Sequence, residues 1–341
     1  MDYTSTSSYL DSAYADCDRA AKVISHKWWI VVRAFQVLIS LVSLVMLPIL
    51  ITHFKCRRMK FHVNLSLLVV NVIILYALEC IDTVVTQLRF LILNVTYVSP
   101  CDFQTDIWLA ITLRLPAYIY LIAFPLIHCA VTAERAWATV FAKEYEKVGC
   151  TFGVVCTIFV WLMTFGFGFF IAYTASLDVE KPLLLLVITT PRNRYPIAYM
   201  HWVLMLLIIL TSVADYMVIV QNRRYRKKLQ DVEYNLSMNF QLRENMVTMQ
   251  LIWPLDVFFT IIFTVYLIAG SYMRSSLVDL SPVDYMFVYE LINTLFPLHT
   301  FATLLLYTRY IKAHEVSRSV KIMPINYHKE MYFKELQKQW A

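Results

Sequence analysis

Residues 106–149, DIWLAITLRLPAYIYLIAFPLIHCAVTAERAWATVFAKEYEKVG, form a long apolar run that stops at an adjacent acid and base, Glu134 and Arg135. From Ile107 to Ala133 the one formally charged side chain is Arg114. This length exceeds the roughly 20 residues an α-helix needs to cross a bilayer core of about 30 Å, so the run reads as a membrane span. The 21 residues between Arg114 and Arg135 rise by about 31 Å, which puts one guanidinium near each face of the membrane. Pro116 and Pro125 lie inside the run, where each removes a backbone donor and invites a kink.

The remaining chain fits that reading. With 59% apolar and 16% charged side chains over 341 residues and a mean hydropathy of +0.58, there is too little polar surface for a soluble protein of this size. Six further runs resemble the first, giving spans at about 28–52, 61–86, 106–133, 150–175, 197–220, 246–270 and 284–308. The expected fold is all-α, a seven-helix integral membrane bundle over 28–308. It has an N-terminal segment at 1–27, a tail at 309–341 and no second domain. No apolar stretch with a small-residue cleavage site precedes the first span, which is therefore expected to direct insertion itself.

Lysines and arginines set the orientation. The N-terminal segment and the second, fourth and sixth connections carry eight; the other three connections and the tail carry twenty. The N-terminus is expected outside and the tail in the cytoplasm. On a membrane protein this bias explains the net charge of +6, and nucleic acid is not an expected partner. Asn94-Val95-Thr96 falls in an external connection and is the expected glycosylation acceptor. Cys17 and Cys101 both face the oxidising side and are expected to pair, with Cys80 as the competing partner.

Ionisable residues inside spans are costly and normally face the bundle interior. In the outer half these are Arg33, Glu79, Asp82, Arg114 and Glu290, in both signs. Glu79 or Asp82 is expected to pair with Arg114, and Glu290 with Arg33. Such pairs could line a ligand pocket or only neutralise one another. Asp215 and Asp256 lie further in; Asp256 follows Trp253-Pro254 and could bond freed backbone or an ion. Aromatic residues make up 15% of the chain, and their periodicity alone does not say which of them face a cavity. His128, His201 and His299 read as hydrogen-bonded helix residues. No catalytic grouping, phosphate-cradling glycine loop, metal motif or cofactor motif is present.

At the inner end of the third span, Arg135 always carries its charge and offers five donors. It could bond Glu134 or a neighbouring helix in one bundle conformation and an intracellular protein in another. The alternative is an arginine that snorkels to the interface.

Seven spans, an exterior N-terminus and Glu134-Arg135 at the end of the third resemble a G-protein-coupled receptor. More narrowly, FHVNL (61–65), ERAWATVFAKEYEKVG (134–149) and LSMNFQLREN (236–245) are similar to nematode serpentine chemoreceptors of the Sra superfamily, most closely the Sre family. Ala136, Trp253-Pro254 and Phe296-Pro297-Leu298-His299 depart from the rhodopsin-like pattern. The resemblance implies a chemosensory receptor, not an enzyme, at the plasma membrane, with a sensory cilium as its place. An external small molecule or peptide would bind in the outer half. A heterotrimeric G protein would engage Glu134, Arg135 and the basic cluster with Arg223, Arg224 and Arg226, which also suits anionic membrane lipid. The rival reading is a transporter or ligand-gated channel, which needs a continuous polar path.

Overall fold

The computed structural model describes residues 26–56, 62–141, 145, 149–178, 188–232, 236–275 and 282–310. Their regular structure is helical: α1 (Lys27–Cys56), α2 (Val63–Thr96), a 3-10 turn (Pro100–Phe103), α3 (Ile107–Val140), α4 (Thr151–Asp178), α5 (Arg194–Val232), α6 (Leu236–Ser275) and α7 (Pro282–Asn293). After Thr294 the helix resumes as α8 over 295–310. Seven of these segments are long and apolar enough to cross a membrane, the last being Phe287–Tyr310.

Local chemistry sets several ends. Asp106 caps α3 by accepting from the Trp108 amide at 3.0 Å, which satisfies one of the first-turn donors. His62 plays that part for α2. The 3-10 turn is closed by a capping box between Ser99 and Asp102. Backbone amides of Ser99 and Val98 hold the Asp102 carboxyl below the usual carboxylate range. Pro48, Pro116, Pro125 and Pro254 all stay inside continuous helices.

The stretch quoted first is also first in space. The α3 helix packs against α2, α4, α5 and α6, and half of its apolar window is buried inside the bundle against 22% for α4. Helix α4 lies at the periphery and is tied to α2 by polar contacts. Gly153 N donates to Asn64 Oδ1 at 3.0 Å, and Trp161 Nε1 donates to Asn71 Oδ1 at 2.8 Å. A Cβ at Gly153 would lie 3.0 Å from both Cα and O of Asn64. Gly153→Ala should therefore push α4 off α2 and cost about 1–3 kcal/mol, read as a lower midpoint in thermal unfolding; an unchanged midpoint would show that the helices do not need this approach.

The helices run past the spans expected from hydropathy. The expected end of the second span, residue 86, lies well inside α2, which continues to Thr96. Asn94 is thus in the last helical turn, with Thr96 Oγ1 donating to the Ile92 carbonyl at 2.9 Å, and not in an irregular connection. Apolar length ends where the bilayer ends, whereas the helical hydrogen-bond ladder continues into water or headgroups.

Candidate functional site

Two polar regions, one at each end of the bundle, are separated by an aromatic layer. At the end nearest Cys101, Arg33 of α1 is 1% exposed, and its guanidinium lies 3.5 Å from Glu290 Oε1 of α7. Phe90 and Trp29 cover it, with their ring centroids 3.9 and 4.6 Å from the central guanidinium carbon. Glu290 Oε2 accepts from Gln87 Nε2 at 3.2 Å. Gln36 bonds the Glu290 carbonyl and Thr294 Oγ1 at 3.1 and 2.7 Å. The Arg33–Glu290 pairing expected from sequence is present.

Arg114 is also buried, but its hydrogen bond goes to the Tyr289 hydroxyl at 2.7 Å. Glu290 and Asp82 act on it through charge. Glu79 does not reach across to Arg114 by hydrogen bond; Thr83 Oγ1 and Cys80 Sγ donate to it at 3.1 and 3.4 Å. Asp82, one turn away on α2, is the acid of that helix that acts on Arg114 through charge, while Glu79 is met by Thr83 of its own helix and approached by Thr300 of α8. Cys101 is disulfide-bonded, Cys80 is free, and Cys17 lies outside the described residues.

Mid-bundle, Tyr76, Tyr120, Phe124, Phe259, Phe263 and Phe296 pack around His299 with ring centroids 4.2–6.1 Å apart. His299 Nδ1 and the Tyr120 hydroxyl share a 3.0 Å hydrogen bond. These are the aromatic residues whose periodicity gave no direction. Just beyond, His128 Nδ1 meets Asp256 Oδ1 at 3.0 Å, so Asp256 bonds a side chain of α3.

At the opposite end Arg135 does not snorkel. It is 5% exposed and Glu134 0%. Arg135 donates through Nε to Glu134 Oε2 and through Nη2 to Glu134 Oε1 at 2.6 Å. It also donates to Tyr145 Oη and to Asn245 Oδ1 of α6, both at 3.2 Å. Asn245 returns hydrogen bonds from Nδ2 to the Arg135 carbonyl at 3.3 Å and to Thr139 Oγ1. Tyr145 donates to Glu134 Oε1, and its ring lies 4.2 Å from that of His62. Burial, with the Glu134 carboxylate beside it and against the pull of Arg135, raises the Tyr145 phenol above its ordinary value and keeps it a donor.

This cluster fastens α6 and the α3–α4 connection to the end of α3 around a neutral acid–base pair. Charge-assisted bonds in a water-poor site are among the stronger hydrogen bonds a protein makes. Arg223 and Arg224 are exposed on the same end of α5, and Arg226 lies in the same helical turn. Tyr145 and Asn245 carry no charge and were not singled out by sequence. Their only signal was membership of the 134–149 and 236–245 stretches.

Comparison with known proteins agrees with this architecture. A family model for the serpentine type 7TM GPCR receptor class ab chemoreceptor matches residues 14–341. Serpentine receptor class beta-17 of Caenorhabditis elegans is 23% identical over 257 residues, 73% of this chain and 68% of that protein. Serpentine receptor class beta-6 of the same organism is 22% identical over 262 residues, 76% of this chain and 75% of that protein. The matches support a nematode serpentine chemoreceptor, and the finer likeness to Sre is not what they carry: the matching model is class ab. The chain belongs to the serpentine seven-transmembrane class ab chemoreceptor family and is a multi-pass membrane chemosensory receptor.

Proposed function

We propose that this receptor binds an external small molecule or peptide at the Arg33–Arg114–Glu290 end and activates a heterotrimeric G protein at the Arg135 end. The observation that carries the reading is the buried cluster joining Glu134 and Arg135 to Asn245 and Tyr145. It has the form of a latch that holds α6 against α3. Releasing α6 would free the donors of Arg135 for an intracellular partner, and Arg223, Arg224 and Arg226 would flank that opening.

The lysine and arginine count supports placing the Arg135 end in the cytoplasm. The plasma membrane is the corresponding location, with a sensory cilium implied by the family. Cys101 is external in this orientation, and Cys17 is the partner we assign to it. Asn94 is an external glycosylation acceptor only if its helical turn clears the headgroups. A ligand acts by preferring the unlatched bundle, since equal affinity for both states shifts nothing.

The aromatic layer around His299 counts against a transporter or channel, because it fills the middle of the bundle with buried rings where a polar path would have to run. Guanine-nucleotide exchange on purified G proteins tests the proposal. Receptor-dependent exchange, normalised to surface receptor because Arg135→Ala leaves Glu134 buried without its partner, should fall at least about tenfold, as expected for losing about 1.4 kcal/mol or more of contact. Unchanged exchange in that variant would remove Arg135 from the coupling site.

A further inference from the structure

Between the aromatic layer and the latch, α5 and α6 bring two carboxylates together. Asp215 and Asp256 are each 1% exposed, and they act on one another with Thr132 of α3 alongside. Thr132 and Asp256 approach Asp215 without meeting either of its oxygens in full hydrogen-bond geometry, and Oδ2 of Asp256 has no partner. Asp256 Oδ1 alone is met, by His128. Among the described residues His128, when protonated, pairs with Asp256, but no lysine or arginine reaches either acid and no ion pair reaches Asp215. Two carboxylates withdrawn from water cannot both remain charged without a compensating positive charge.

We propose that Asp215 and Asp256 together bind one monovalent cation between α5 and α6, with the Thr132 hydroxyl as a further oxygen, and that its occupancy holds these helices together. The shared chemistry is a single hard, oxygen-seeking charge, supplied by a sodium ion or by a proton. Calcium takes six to eight oxygens, more than this site presents, and no group of three or more metal-ligating side chains occurs among the described residues.

Asn222 is a further unsatisfied polar group on α5. It is 0% exposed with both amide atoms unbonded, and it lies seven residues beyond Asp215, on the same face of α5 about 10.5 Å nearer the Arg135 end. A cavity beside His128 reaches this region, although neither carboxylate lines it. His128 and Thr248 give it polar wall, and Val131, Ile252, Leu255 and Tyr307 are among its apolar lining. The titratable groups that bear on the pair are His128 of α3 and, through His128, His299 of α8.

The test is thermal unfolding of the purified full-length receptor in sodium, potassium or choline chloride at equal ionic strength, across pH 5.5–8.5. Wild type is compared with Asp215→Asn, a neutral isostere, and with Thr132→Val, which keeps both carboxylates. For a sodium ion, the wild-type midpoint at high pH should rise by about 3 °C from choline to sodium at tenfold excess over the dissociation constant. Asp215→Asn should lose that rise and Thr132→Val should show less of it. For a proton, the wild-type midpoint should fall with rising pH whatever the salt, and Asp215→Asn should flatten the fall. Wild type and Asp215→Asn responding alike to both salt and pH would overturn the site. Should Asp215→Asn not fold, Asp256→Asn replaces it under the same criteria. This readout needs no G protein, so it stands or falls independently of the coupling proposal.

Discussion

Asn245→Leu should raise ligand-independent nucleotide exchange by about tenfold or more. The substitution removes the Arg135 Nη1 acceptor and both donors from Asn245 Nδ2 to α3. It leaves the bidentate Glu134–Arg135 contact in place. Hydrogen bonds to charged groups contribute about 1.5–3 kcal/mol, and about 1.4 kcal/mol is a factor of ten in an equilibrium. A bundle poised toward the latched state would therefore shift measurably toward the open one.

Asn245→Asp should act in the opposite sense, because a carboxylate facing Arg135 makes the contact charge-assisted on both sides. Exchange on purified G protein without ligand, normalised to surface receptor, checks both variants. Basal activity that Asn245→Leu leaves unchanged at normal expression would mean that the contact closes the bundle without setting its equilibrium.

Glu290→Leu should lower folding stability by about 3–5 kcal/mol, the usual cost of leaving one member of a buried ion pair unpaired. Arg33 has nowhere to take its charge. Its side chain is 2% exposed, its faces are covered by Phe90 and Trp29, and its three nitrogens have no other hydrogen-bond partner. The loss should appear as sharply reduced cell-surface receptor and a lower unfolding midpoint. The double variant Arg33→Leu/Glu290→Leu should recover a large part of it, because apolar replacement of a whole buried pair is often neutral or stabilising. If the double variant is no better than the single one, the charge left on Arg33 is not the cause.

Much of this could be read before any coordinates. The seven spans and the Arg33–Glu290 pairing follow from hydropathy and from the cost of intramembrane charge. Other features stayed hidden for identifiable reasons. Asn245 is 110 residues from Arg135 and uncharged, so no cost argument pointed to it. Tyr145 lies in a connection whose shape hydropathy does not describe. Tyr289 took the hydrogen bond of Arg114 because a phenol on the right turn of α7 competes with a carboxylate, and sequence order says nothing about helix rotation. The length of α2, which runs on to Thr96, was not legible because a helix can continue beyond the apolar layer that identifies a span.

By itself the sequence determined that this chain is a seven-helix membrane protein with buried charges of both signs, because burying apolar length in lipid and avoiding unpaired charge are constraints that each segment meets alone. Only the tertiary structure decided which polar groups meet: Arg135 with Asn245, Asp256 with His128, and Tyr120 with His299 inside the aromatic layer. Those pairings depend on the rotation and depth of neighbouring helices, which packing of their side chains sets jointly and no single segment encodes.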